Sequence, residues 1–180
     1  YFANQLGSTF FPIGTSSNMR DVTVTLTSFP GANQYLTASY VAGTPTLQDG
    51  SDYTGLPLTT DDGQLIQNYS EDGYWVINPT GDDYNSTINS ASYTIDLHCK
   101  NLTEQPSDVS KVRIIKSAGS NTAGSHHASW TGLTNQSTSG SASDFTVTGN
   151  STGFSFFGAG SDDGNALPVE LVSFSGACND

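Results

Sequence analysis

Strict alternation of apolar and polar residues constrains this chain more than any other feature. Asp21-Val-Thr-Val-Thr-Leu-Thr27 places Val22, Val24 and Leu26 on one side and threonine on the other. Successive side chains of a strand point to opposite faces, so the segment reads as a half-buried β-strand. Ser92-Tyr-Thr-Ile-Asp-Leu-His98 repeats the pattern. Towards the C-terminus, three short apolar runs (Phe145 to Thr148, Phe154 to Gly158 and Val169 to Phe174) are separated by Gly, Asn, Asp and Pro clusters, as strands joined by turns are. No segment carries the caps and 3.6-residue period of a helix of useful length. The expected fold is all-β and helix-poor: an antiparallel β-sandwich of roughly ten strands, preferred to a barrel.

The remaining elements follow from local chemistry. Ser8 to Gly14 reads as a strand interrupted by Pro12, and proline in a strand marks an edge or a bulge. Gln34 to Ala42 is a further strand, and residues 44–58 read as loop. Asp62-Gly63 and Asp72-Gly73 each precede an alternating run (Gln64 to Tyr69, Tyr74 to Ile77), which predicts a meander of hairpins, because glycine accepts positive φ without steric cost. Val109 to Ile115 and His126 to Leu133 complete the strand candidates.

Residues 1–166 are expected to form one sandwich domain. Residues 167–180 then form a C-terminal strand or linker, either the edge of a following domain or a strand shared between subunits. The chain opens Tyr1-Phe2-Ala3 with neither Met nor a basic-then-apolar leader, which reads as a processed chain or a fragment. Both terminal segments, Thr9 to Ile13 and Val169 to Phe174, are expected to be paired strands, since ends fray unless tied into a sheet.

Charge narrows the partners. Only 12% of residues are charged, yet the net charge is −12. Phosphate recognition needs Lys and Arg, so nucleic acid is excluded as a partner, and anionic membranes with it. No apolar run approaches the length of a bilayer span, so no membrane insertion is expected. Divalent cations, neutral polysaccharides, neighbouring domains and self-association remain. Between Asp21 and Cys99 there is no Lys or Arg, whereas Lys100, Lys111, Arg113 and Lys116 follow closely. If these regions occupy different faces, the domain is electrostatically two-ended, which suits head-to-tail contact with a copy of itself. The alternative is a solvated acidic surface.

Catalytic groupings are sparse, and no enzyme activity is expected. Gly149-Asn-Ser-Thr-Gly153 matches G-x-S-x-G, but a nucleophile elbow needs a strand running into a helix, and here two strands flank the match. His126 and His127 are adjacent, so on a strand they point to opposite faces and do not chelate one metal. His98 is assigned no role. Ca²⁺ is the cofactor that the acidic turns admit, because it takes hard oxygens at flexible geometry. The candidate ligands are Asp49 and Asp52 in one turn, and Asp162, Asp163 and Asn165 in another, with ordinary Asp-Gly turns as the competing explanation. Trp130, Tyr53 and Tyr84 are the candidate platforms for stacking on sugar rings, whereas Trp75 reads as core. Cys99 and Cys178 either form one disulfide in an oxidising compartment or are unrelated.

Several segments carry a family resemblance. In order they are Thr9 to Gly14, Asp21 to Val24, Val112-Arg-Ile-Ile-Lys116, Trp130-Thr-Gly132, Gly153-Phe-Ser-Phe-Phe-Gly-Ala-Gly-Ser161 and Leu167-Pro-Val-Glu-Leu-Val-Ser-Phe174. Together they resemble the β-rich modules of large secreted proteins of the Bacteroidota, which end in "FSxFGIGS…LPVELxSF" before a further β domain and a type IX secretion signal. The resemblance implies a bacterial extracellular or cell-surface setting and supplies no catalytic residues. The leading functional expectation is a structural or adhesive surface module assembling through sheet edges into a filament, with Val169, Leu171 and Phe174 on the assembling strand. The alternative is a carbohydrate-binding module attached to a polysaccharide-degrading enzyme.

Overall fold

A computed structural model of the chain describes residues 6–28, 34–44, 55–81, 91–117 and 129–162. Their strands are β1 (Gly7–Phe11), β2 (Val22–Leu26), β3 (Gln34–Ala42), β4 (Leu58–Thr59), β5 (Leu65–Ile66), β6 (Asn68–Tyr69), β7 (Gly73–Gly81), β8 (Ser92–Lys100), β9 (Arg113–Ser117), β10 (Trp130–Gly132), β11 (Thr134–Ser141), β12 (Asp144–Thr152) and β13 (Phe156–Ser161). Every pairing is antiparallel. One sheet runs β1-β2-β8-β12-β11; a second runs β10-β9-β13-β7-β3, with β6 also paired to β13. A small hairpin, β4-β5, stands apart.

The alternation read in the sequence becomes the core between the two sheets. Val22, Val24 and Leu26 of β2, Tyr93, Ile95, Leu97 and Cys99 of β8, and Phe145 and Val147 of β12 face inward. Leu36, Trp75, Ile77, Ile114, Phe157 and Ala159 meet them from the other sheet. Each large side chain so buried contributes about 1.5–3 kcal/mol over leaving it in water. Two ring-borne polar groups inside are bonded: the Trp75 indole donates to the Arg20 carbonyl at 2.7 Å, and the Tyr93 hydroxyl to the Gly153 carbonyl at 2.5 Å. The fold is the expected all-β sandwich.

β13 lies at the centre of the second sheet and explains the glycines of its motif. Phe157 and Ala159 point into the main core, whereas Gly158 and Gly160 lie on the outer face. There the segment around β4 and β5 folds over the sheet, burying Ile66 against Ile115 and Trp130 in a second small core. A Cβ on Gly160 would stand 2.7 Å from Ile66 Cγ2 and 2.9 Å from the Asn68 carbonyl oxygen, so only glycine admits this approach.

Four expectations need correction. Val109–Lys111 is a 3-10 turn, and the strand starts only at Arg113, because the Asp108 carboxylate accepts from the Ser110 backbone N–H and caps the turn. Gln64 to Tyr69 breaks into β5 and β6, which pair with different strands. Asp62-Gly63 does turn a hairpin, between β4 and β5, but Asp72-Gly73 does not: β6 and β7 lie one after the other along the same edge of β13. Finally, β11 has no counterpart in the sequence reading. Of the two terminal segments, β1 is a paired edge strand that stops at Phe11, immediately before Pro12, and Val169 to Phe174 lies outside the described residues.

Candidate assembly edge

The two long sides of the sandwich are finished differently. On one side, β10 is only three residues long and covers β9 from Ile115 to Ser117. β11, from the opposite sheet, closes the remainder. The Gln136 side-chain oxygen accepts from the Ile114 N–H at 2.6 Å, and the Thr138 hydroxyl donates to the Val112 carbonyl at 2.7 Å. Two side chains thus bind the main chain of the facing sheet and seal that flank.

The opposite side brings β1 and β3 together, the outermost strands of their sheets. Phe11, Pro12 and Ile13 face Leu36, Thr37 and Ala38 across a groove of about 210 Å³, apolar apart from one threonine. β3 pairs with β7 without interruption from Gln34 to Ala42, and among the described residues no strand pairs with its other edge. Alternate N–H and C=O groups of such a strand point outward. Edges are commonly guarded by Lys, Pro, a bulge or shortness. β1 has shortness and Pro12; β11 has an irregular register between Thr134 and Ser137. β3 has none of these: Gln-Tyr-Leu-Thr-Ala-Ser-Tyr-Val-Ala is long, regular and uncharged, and Val41 is 38% exposed.

Elsewhere, polar side chains gather in two local clusters. On the outer face of β8, His98 sits between two carboxylates, with Nδ1 at 2.9 Å from Asp21 and Nε2 at 2.7 Å from Asp144. Burial pulls the His98 pKa down, but the bonds to Asp144 and Asp21 outweigh it, and the net displacement is upward. The His98 bond in turn holds the Asp144 carboxyl below its ordinary range. Lys116 donates to the carbonyls of Thr152 and Gly153 at 2.5 and 2.8 Å, and burial lowers its pKa to about 8. It stands at the wall of a groove of about 480 Å³ lined largely by hydroxyls, among them Thr27, Thr94, Thr131 and Ser151.

Charge does not divide the molecule into two ends. Asp62, from the acidic stretch, accepts from Arg113 Nε at 2.8 Å and Nη2 at 2.6 Å, so the two regions interlock. That bond is the first cause holding the Asp62 carboxyl down at about 2. Lys100 bonds Asp144 at 3.4 Å and Lys111 bonds Asp162 at 3.2 Å, while Arg20 donates to the carbonyls of Met19 and Lys100. With Lys116 on carbonyls too, all five basic residues are engaged within the chain. The two-ended picture is therefore replaced by an acidic surface with no separate basic face.

The sequence-derived site residues fare unevenly. Trp130 is buried, only 3% exposed, under Ile66 and beside Tyr69 at 5.6 Å between ring centroids. It is core and offers no face to a sugar; its Ser/Gly-rich neighbours gave no hint of the hairpin that covers it. Tyr53 and Tyr84 lie outside the described residues. Of the calcium candidates, Asp162 is bonded to Lys111, which a cation at that oxygen would have to displace. Asp49, Asp52, Asp163 and Asn165 lie outside, as do His126, His127, Val169, Leu171 and Phe174. Among the described residues, no group of three or more His, Cys, Asp or Glu side chains gathers to hold a metal. Cys99 is fully buried and its thiol is pushed up to about 12, while Cys178 lies outside. Gly149 to Thr152 lies within β12 and leads to the next strand, not to a helix. Trp75 is core, as expected. The open side of the sandwich and the His98 pair were missed. The length and lack of charge of Gln34 to Ala42 were the one available signal for the former.

No family model, curated protein or solved structure gives a significant match to this chain.

Proposed function

We propose that this chain is a non-enzymatic structural or adhesive module of a bacterial cell-surface protein, assembling through its sheet edges. The observation that carries the reading is the contrast between the two flanks. One is sealed by Gln136 and Thr138. The other leaves a nine-residue uncharged strand beside an apolar groove. Such an edge offers main-chain hydrogen bonds for affinity and alternate side-chain positions for specificity, the two requirements of strand addition. Light scattering and electron microscopy of the purified full chain over a wide concentration range test it. Concentration-dependent oligomers or filaments are expected; a strict monomer at the highest concentration refutes it.

A carbohydrate-binding role is the second reading. Its support is the hydroxyl-lined groove beside Lys116, whose Thr94, Thr131 and Ser151 suit a neutral polyol. Retardation in polysaccharide-containing gels, abolished by Thr131→Trp, which fills the groove, is the expected result. Unchanged mobility on every glycan tested removes this reading.

A further inference from the structure

We infer that the strand taken up at the β3 edge is Leu167 to Phe174 of a second copy of this chain, an inference that rests on the assembly reading above. Three observations select this occupant. The first is pattern. Leu167-Pro-Val-Glu-Leu-Val-Ser-Phe174 alternates so that Val169 and Leu171 share a face, and it carries one charge, Glu170. A strand laid against β3 in antiparallel register would direct that face towards Leu36, Ala38 and the groove walls Phe11 and Ile13. Glu170 and Val172 would then stand on the outer face beside Thr37, Ser39 and Val41, all three of them exposed.

The second is where the described chain stops. β13 ends at Ser161, at the centre of the second sheet, and residues 163–180 follow. β13 and β3 are both antiparallel to β7, so they run in the same direction. A segment leaving the end of β13 therefore starts at the end where β3 finishes, the end from which an antiparallel partner of β3 must enter, whether in its own chain or in a second copy.

The third is the obstacle to reaching its own β3. The slot beside β3, which no strand fills among the described residues, lies three strand spacings from β13, about 14 Å sideways. The five residues from Asp162 to Ala166, between β13 and that strand, span at most about 18 Å when fully extended. Between the two stands the turn from β6 into β7. Asp72 there accepts the Gly43 N–H on its carbonyl at 3.0 Å, and its carboxylate accepts the Thr103 N–H at 2.6 Å and the Thr103 hydroxyl. A tail bound for its own β3 has to pass around that turn, which leaves little of its reach to spare.

The test uses full-length chains carrying Cys178→Ser, so that Cys99, buried and with its thiol raised to about 12, is the remaining native cysteine. One set of chains carries Thr37→Cys, Ser39→Cys or Val41→Cys; the other carries Glu170→Cys. Facing residues of an antiparallel pair have Cβ atoms about 4.5–5.5 Å apart, close enough for a disulfide after slight adjustment. Mixing one chain from each set under mild oxidation should give a covalent heterodimer of about twice 18.9 kDa at one register position, and far less at the other two. Val41→Lys, which guards the edge, should abolish it. If Glu170→Cys instead links to β3 only within one chain carrying both changes, the tail closes its own sheet, and the inference and the assembly reading both fall. If no position links while the chain still forms oligomers, the inference falls and the assembly reading stands. No link and a strict monomer overturn both.

Discussion

Replacing Trp130 by alanine separates a core residue from a surface platform. The indole lies under Ile66, against Ile115 and beside Tyr69, with Leu56, Leu58 and Phe156 around the same small core. Truncating a buried Trp costs about 3–5 kcal/mol, and the lower figure applies here because Trp130 belongs to the smaller cluster at the sheet surface. For a chain of this size each kcal/mol lowers the melting temperature by about 2–4 °C, so Trp130→Ala should lose about 6–12 °C. The loss should be local before it is global. Among the described residues, the β4-β5 hairpin is otherwise held by the bonds of Asp62 to Arg113, of Asp61 to the Asn135 N–H at 3.0 Å and, just beyond Ile66, of the Gln67 N–H to the Ser161 carbonyl at 2.8 Å. Differential scanning fluorimetry gives the first number, and amide exchange over residues 58–66 reports the second. Phe10→Ala is the control, since Phe10 is half exposed and should change stability by no more than about 0.5 kcal/mol. A Trp130→Ala protein melting within a degree or two of the parent, with the hairpin still protected, would show that the covering contacts are wrong. Trp130 would then return as a surface aromatic.

Two further predictions concern charge. Asp62 titrates near 2 when folded against 3.8 ordinarily, so the stability it confers is present above pH 3.8 and is lost as pH falls through about 2. Screening at this partly exposed site leaves about 1–2 kcal/mol, and Asp62→Asn should remove that part of the acid transition in a denaturant titration. His98 runs the other way: its folded pKa is raised, so its contribution is full below the ordinary 6.5 and fades as pH rises through the folded value. His98→Gln should flatten stability across neutral pH, and an imidazole NMR titration midpoint below 6.5 would contradict the double carboxylate clamp.

What was legible in the sequence is what burial writes in period two. β2 and β8 alternate without a break because one face of each is sealed between sheets, and β3 was bounded to the residue. β11 was illegible for a physical reason. It is an edge strand of Ser, Thr, Asn and Gly whose buried side chain is Gln136, and that residue is there for its amide oxygen. No apolar pattern records a role of that kind. Val109 looked like the start of a strand, but Asp108 captured the next backbone N–H first. Trp130 was misjudged because its cover, Ile66, is distant in sequence, and Ser/Gly-rich neighbours say nothing about tertiary packing. The open flank depends on strand order, which local pattern does not carry. His98 needed partners from β12 and from the residue before β2.

An uncharged edge on an acidic protein has one more consequence. Copies of a chain with net charge −12 repel, and because all five basic residues are engaged within the chain, no complementary patch offsets the repulsion. Contact along β3 depends on main-chain bonds and apolar side chains, which simple salt does not weaken. Repulsion, by contrast, is screened, its range falling from about 10 Å at 0.1 M to about 3 Å at 1 M salt. Association should therefore strengthen as NaCl rises, the reverse of an interface built on ion pairs. Ca²⁺ adds a second axis. If it acts only by screening, NaCl of equal ionic strength reproduces its effect. If it bridges acidic turns such as the one at Asp162, micromolar Ca²⁺ promotes assembly where matched NaCl does not. Sedimentation velocity across both titrations distinguishes these cases, and oligomers that dissociate as NaCl rises would mean that charge, not the β3 edge, holds the copies together.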